Sequence, residues 1–135
     1  MTLEELFEEF DDLLDWEERC DFLIDMGFEL PEFPEAARCE ENRVHGCQSN
    51  VWLIAGQAPE SSVMTIEADS DAMIVKGLIA VLLVVFNGKS PREILETDVT
   101  TVFEKLGLNR HLSPQRKNGL SGMVDRIRTI AAGSA

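Results

Sequence analysis

Arg43-Val44-His45-Gly46-Cys47-Gln48-Ser49-Asn50-Val51-Trp52-Leu53 sets a thiol in a glycine-hinged turn and then opens into an apolar run. Gly46 permits backbone angles closed to other residues and leaves Cys47 uncrowded. His45, Gln48, Ser49 and the backbone N–H groups of the turn are all able to hydrogen-bond a sulfur anion. A cysteine acts as a nucleophile only as thiolate, so such donors or nearby positive charge decide its reactivity. The residues alone leave two readings of Cys47 open. One is a reactive thiolate; the other is a half-buried structural cysteine at a strand entrance, since free cysteine is among the most buried residue types.

Moving outward, Val51 to Ala55 reads as a buried strand and Gly56 to Ser62 as a polar loop. Val63 to Ala68 alternates with the period of a half-covered strand, so the two runs form an antiparallel hairpin. Arg43 to His45 adds a third strand. Asp69-Ser70-Asp71 next supplies carboxylates suited to the positive end of a helix. The body of that helix, Ala72 to Phe86, is apolar almost all round, which puts it in the middle of the fold, packed on the sheet. Lys76 is its one charge and reads as a surface lysine with its stem laid along the helix. Asn87-Gly88 ends it.

On the N-terminal side, Leu3, Leu6, Phe7, Phe10, Leu13 and Leu14 recur at helical spacing, with acids on the other face. Asp15 caps a second helix with Glu18 completing a capping box. Trp16, Cys20, Leu23 and Ile24 make its buried stripe, and Gly27 is the expected stop. Leu30 to Pro34 is held extended by its prolines. Ala36 to Glu41 forms a brief helical turn on which Cys39 reads as an exposed bystander, with a resolving role toward Cys47 left open. On the C-terminal side, Ser90-Pro91-Arg92-Glu93 is a capping box with proline at the first helical position. A helix over Val99 to Leu106 stops at Gly107. Ser113-Pro114 opens the last helix, with Leu120, Met123, Val124, Ile127 and Ile130 as its stripe and Gly133 to Ala135 fraying. The fold class is therefore α+β, a small antiparallel sheet of about three strands packed against helices, and residues 1–135 read as one domain.

With 135 residues and 44% hydrophobic content the chain has enough apolar surface for a core without disulfides. Twenty-five acidic against 12 basic residues give a net charge of -13, which argues against nucleic-acid binding. Three cysteines with no CxxC pair fit free thiols in a reducing compartment. The N-terminus is acidic, unlike a targeting peptide. The longest apolar stretch, Gly77 to Phe86, is about half of what a membrane span needs. The expected location is the cytoplasm. No serine triad, HExxH or phosphate loop is spelled out. Cys39, Cys47, His45 and His111 contain ligand types for zinc or an iron–sulfur cluster, but no paired spacing supports a metal site. Pairing Cys47 with His45 or His111 for hydrolysis lacks an orienting third group.

Residues 43–53 closely resemble the cysteine-bearing motif of the SufE family of sulfur-acceptor proteins. The likeness continues through Asp69-Ser70-Asp71-Ala72-Met73-Ile74-Val75-Lys76-Gly77-Leu78-Ile79-Ala80, Phe103 to Leu108, and His111 to Leu120. Trp16-Glu17-Glu18 and Leu30-Pro31 fit as well, so it covers nearly the whole chain in order. The resemblance implies a fold shared with iron–sulfur scaffolds of the IscU type. It implies that Cys47 accepts persulfide sulfur from a PLP-dependent cysteine desulfurase of the SufS or CsdA type, and that the chain then hands this sulfur to a downstream scaffold. It implies stimulation of the desulfurase and no cofactor of the chain's own, the PLP being the partner's. His45, Gly46, Gln48 and Ser49 would support the thiolate. Asp71 and Arg116, each near a helix N-terminus in a matching motif, would orient the turn or bind the partner, and Asn118 would add a hydrogen bond. The phrasing of Ser113 to Asn118 departs slightly from the family's small residues, which bears on partner choice. His111 reads as a structural loop histidine. A homodimer stays open, as does the alternative of a scaffold that itself holds a cluster or zinc. The apolar residues after Cys47 suggest a thiol tucked inward at rest and swung out on Gly46.

Overall fold

The computed structural model describes residues 1–45, 49–57 and 60–134, with side chains through residue 133. Two helices come first, α1 (Leu3–Asp11) and α2 (Trp16–Phe28). Thr2 Oγ1 accepts from the Glu5 N–H to start α1. The helix ends three residues short of its apolar stripe, so Leu13 is half-buried and Leu14 is exposed. Asp15 caps α2 by accepting from the Glu18 N–H at 2.9 Å. The Glu18 carboxylate reaches back to the Leu14 N–H instead of that of Asp15, closing the capping box one residue early.

Gly27 does not stop α2. The helix runs on to Phe28, and Gly27 is buried against Gly77 of α3 (Met73–Phe86). A Cβ on Gly27 would lie 2.8 Å from the Gly77 nitrogen, and one on Gly77 would lie 2.3 Å from the Leu23 carbonyl oxygen. Two glycines thus let the backbones of α2 and α3 touch. The buried side chains of α3 (Leu78, Ile79, Val81, Leu82, Val85 and Phe86 among them) lie on several of its faces, as the unbroken apolar run requires. α2 packs on one side of it and the sheet on another.

Among the described residues the sheet has two antiparallel strands, β1 (Val51–Gln57) and β2 (Met64–Ser70), in register from Val51 opposite Ser70 to Gln57 opposite Met64. The expected third strand is reduced to a single bridge between Arg43 and Trp52, with the Val44 N–H donating to the Val51 carbonyl at 2.9 Å. Met64, Ile66, Ala68 and Ser70 face inward, so the alternation carries β2 two residues past Ala68. Asp69 and Ser70 are therefore strand residues and not the start of α3. That helix begins after Ala72 with no side-chain cap; Ser70 Oγ accepts from the Ala72 N–H. Lys76 is no free surface lysine either, its Nζ lying 3.6 Å from Asp69 Oδ1.

Segment 30–42 contains two short 3-10 turns, Glu35–Ala37 and Glu40–Asn42, with Cys39 exposed between them. Beyond α3, helix α4 (Pro91–Glu96) carries the complete Ser90–Glu93 capping box. Helix α5 (Val99–Lys105) is capped by Asp98 and closed by Gly107 at φ 75°. A single helical turn, α6 (Leu108–His111), follows, too short to leave a periodic pattern in sequence. The last helix, α7 (Pro114–Ser134), stays helical through Gly133 and Ser134 and lies along α4, α3 and β1. Leu120, Met123, Val124 and Ile127 are buried on it, and Ile130 is half-buried.

Candidate functional site

Gly46, Cys47 and Gln48 lie outside the described residues, as therefore does the expected inward resting position of the thiol. The chain on either side of them is held by specific contacts. On the leading side, Arg38 stands over the Trp52 ring at 5.2 Å and the Phe33 ring at 5.7 Å, and its guanidinium pairs with Asp69. Asp69 is buried on β2, where two cations, Arg38 and Lys76, compensate its desolvated charge. Asn42 donates from Nδ2 to the Ala37 carbonyl, tying the two 3-10 turns together. Arg126 of α7 donates from Nη1 to the Arg43 carbonyl at 3.2 Å and from Nη2 to the Glu41 carbonyl. One turn earlier on α7, Gly122 leaves room for the His45 carbonyl, which a Cβ there would meet at 3.1 Å. His45 itself is exposed, with Nε2 3.2 Å from Glu40 Oε1.

On the trailing side, Asp71 uses both carboxylate oxygens on Asn50. Oδ1 accepts from the Asn50 N–H at 3.1 Å and Oδ2 from its Nδ2 at 2.9 Å, while the Asp71 N–H returns a bond to the Asn50 carbonyl at 3.3 Å. These bonds join the residue before β1 to the residue after β2, at the end of the hairpin where α3 begins. Ser49 is half-buried beside them. Asp71 is thus a clamp on backbone and amide, whereas sequence position alone made it a helix-start carboxylate.

The remaining expected residues cluster elsewhere. Arg116 sits exposed in the first turn of α7, its N–H bonded to Ser113 Oγ. Burial pushes the Cys20 thiol up from its ordinary value, and the Arg116 charge opposes that rise, which places Arg116 near half-buried Cys20. Asn118 is exposed on the same stretch of α7. His111 lies on α6 and not in a loop, and it stacks on Trp16 with centroids 4.9 Å apart and planes 10° from parallel. Among the described residues, His45 and Asp71 lie at the two ends of the 46–48 segment, while Arg116 and His111 keep company with α2.

Sequence reasoning missed Asn50, Asp69, Arg38 and Arg126 as holders of this region. Arg126 left one trace, a basic residue directly preceding the buried Ile127 on an apolar-striped helix. Among the described residues, no group of three or more His, Cys, Asp or Glu side chains is placed to hold a metal ion. Among the same residues, no helix is long and apolar enough to cross a membrane.

A sequence model described as "SufE: Fe-S metabolism associated domain" matches residues 4–131. A protein of Rhizobium meliloti named as an uncharacterized SufE-like protein is 44% identical over 135 residues, covering 98% of this chain and 96% of its own. A second protein so named, from Rhizobium etli, is 45% identical over 132 residues, covering 96% and 89%. In three dimensions the chain is similar to the solution structure of a hypothetical protein from Thermus thermophilus. That similarity has a TM-score of 0.77 over 98% of this chain and 97% of the other, at 24% identity, and it supports the α+β fold. The match over nearly the whole length places this chain in the SufE family, whose domain is associated with iron–sulfur metabolism.

Proposed function

We propose that the chain is a sulfur acceptor, taking persulfide sulfur from a cysteine desulfurase onto Cys47 and passing it toward iron–sulfur cluster assembly. The observation that carries this reading is the family match across residues 4–131, within which Cys47 stands in the cysteine-bearing motif. The anchored flanks support it. Arg43 and Asn50 are held by different elements, so the span between them starts and ends at anchored residues. A nucleophile delivered from fixed points loses less freedom on reaching its target, the advantage that orientation gives any bimolecular step.

The transfer step is an exchange. The Cys47 thiolate attacks the outer sulfur of the partner's persulfide and a new S–S bond forms. The old S–S bond breaks, its electron pair leaving on the partner's cysteine as thiolate, and the outer sulfur keeps its proton. No net oxidation occurs and no cofactor of this chain is needed; the PLP that generates the persulfide belongs to the desulfurase. Clearing the persulfide frees the desulfurase for another turnover, so its rate rises in the presence of this chain. Asp71 acts through Asn50 to hold the trailing flank. Arg116 and Asn118, exposed on α7, are contact points for the partner. Free thiols suit a reducing cytoplasm.

Intact-mass measurement after incubation with a desulfurase and cysteine tests the reading. The expected result is a gain of one sulfur, about 32 Da, removed by reductant and absent in Cys47→Ala. An unchanged mass, or the same gain in Cys47→Ala, overturns it.

A further inference from the structure

Arg126 reaches across from α7 to the chain that leads into the Cys47 turn and donates to two of its backbone carbonyls. We propose that Arg126 is a positioning residue for sulfur transfer, setting where the leading flank of the Cys47 segment lies; this inference rests on the sulfur-acceptor reading above. Three observations converge. The guanidinium donates to the carbonyls of both Glu41 and Arg43, so one side chain ties down the end of the Glu40–Asn42 turn and the extended residue that follows it. Its planar fork suits this because two donors are held at a fixed angle, which a lysine cannot reproduce. Gly122, one helical turn before it, gives the His45 carbonyl a close seat on α7, so arm and helix meet at two levels. Between them, Val44 is buried and its N–H is paired to the Val51 carbonyl, completing a flank held from both sides.

The alternative to a grip on α7 is poor. The leading flank joins the sheet by one bridge, Arg43 with Trp52, and not by a ladder of bonds. Without Arg126 the two carbonyls would return to water and the flank would keep that bridge, of which the Val44 bond is part. An open groove of about 340 Å³ runs beside it, lined by Arg43, His45, Arg126 and Thr129 among others, so there is room for the flank to shift. A displaced flank alters the starting point of the turn without touching Cys47 itself. The proposed role is one of geometry, exerted through the carbonyls of Glu41 and Arg43.

The test compares the full chain with Arg126→Gln and Arg126→Lys, each with Cys20→Ser and Cys39→Ser so that Cys47 is the only thiol. Desulfurase stimulation is measured against concentration of the chain, and amide hydrogen exchange is followed at Val44 and at Ile79 in the core. In Arg126→Gln the maximal stimulated rate falls roughly ten-fold while the half-saturating concentration stays put, as misplacement remote from the chemistry predicts. Exchange at Val44 quickens and at Ile79 does not. Arg126→Lys, keeping the charge and one bond, falls between. A Gln variant with unchanged maximal rate overturns the proposal and leaves Arg126 a staple of the fold. A loss matched in Arg126→Lys with Ile79 exchange also raised overturns it as well, because the defect is then global. If the unsubstituted chain stimulates nothing and gains no sulfur, the sulfur-acceptor reading itself has failed, and this role falls with it.

Discussion

Asp69 and Asp71 stand two residues apart and look interchangeable in the sequence, yet they hold different things. Asp69 is buried between Arg38 and Lys76, with its side chain 13% exposed. Asp71 lies at the surface and, among the described residues, its carboxylate engages the neutral donors of Asn50. Removing Asp69 strands two cations in a partly desolvated site, whereas removing Asp71 returns an amide and a backbone N–H to water. Asp69→Ala is therefore expected to lower unfolding stability by about 2–3 kcal/mol, below the figure for a fully buried pair because Arg38 and Lys76 retain access to solvent. Asp71→Ala is expected to lose about 1 kcal/mol. Urea unfolding of the two variants checks the order, and equal losses would contradict this assignment of the two carboxylates.

At the scale of elements, the contact between α2 and α3 depends on Gly27 and Gly77. Alanine raises the helix propensity of any glycine position, a gain of about 1 kcal/mol at an exposed site. At Gly77 the added carbon would sit 2.3 Å from the Leu23 carbonyl oxygen, a backbone atom that cannot swing aside, so the helices must separate. Gly77→Ala is expected to destabilise by roughly 3 kcal/mol, the separation outweighing the propensity gain. Gly133→Ala, on α7 with open space around it, should be neutral or slightly stabilising. Thermal unfolding of the pair reads the difference directly. The same crossing explains why a glycine late in an apolar-striped helix reads as a stop in sequence: the two uses of glycine look alike until the partner helix is in place.

For the molecule as a whole, the net charge of -13 is concentrated at one end of the chain. Residues 1–42 hold 16 acidic and 2 basic side chains, while residues 43–135 hold 9 and 10. The arginines of α7 are partly spoken for, Arg126 by the carbonyls of Glu41 and Arg43 and Arg128 by those of Leu95 and Thr97. The exposed acids of α1 and α2 therefore repel one another with little local compensation. Such repulsion opposes the compact state and is screened over about 10 Å at 0.1 M salt. Raising sodium chloride from 10 to 200 mM should accordingly lift Tm by roughly 2–4 °C. A fall in Tm over that range would show that ion pairs, such as those of Asp69, dominate the salt response instead.

Local chemistry in the sequence determined the hairpin of β1 and β2, the apolar central helix, the Ser90 capping box, the glycine stop at Gly107 and the cysteine-bearing motif. Each of these is written in neighbouring residues, through alternation, an unbroken apolar run or a cap within four positions. What only the tertiary structure decided was the use of residues whose partners are far along the chain. The Asp69-Ser70-Asp71 triplet became strand end and clamp because Arg38 and Asn50 come to meet it. The segment 43–45 kept one bridge of an expected strand because α7, through Gly122 and Arg126, holds it from the other side. Side-chain periodicity reports which face is buried, but only the packed fold shows what it is buried against.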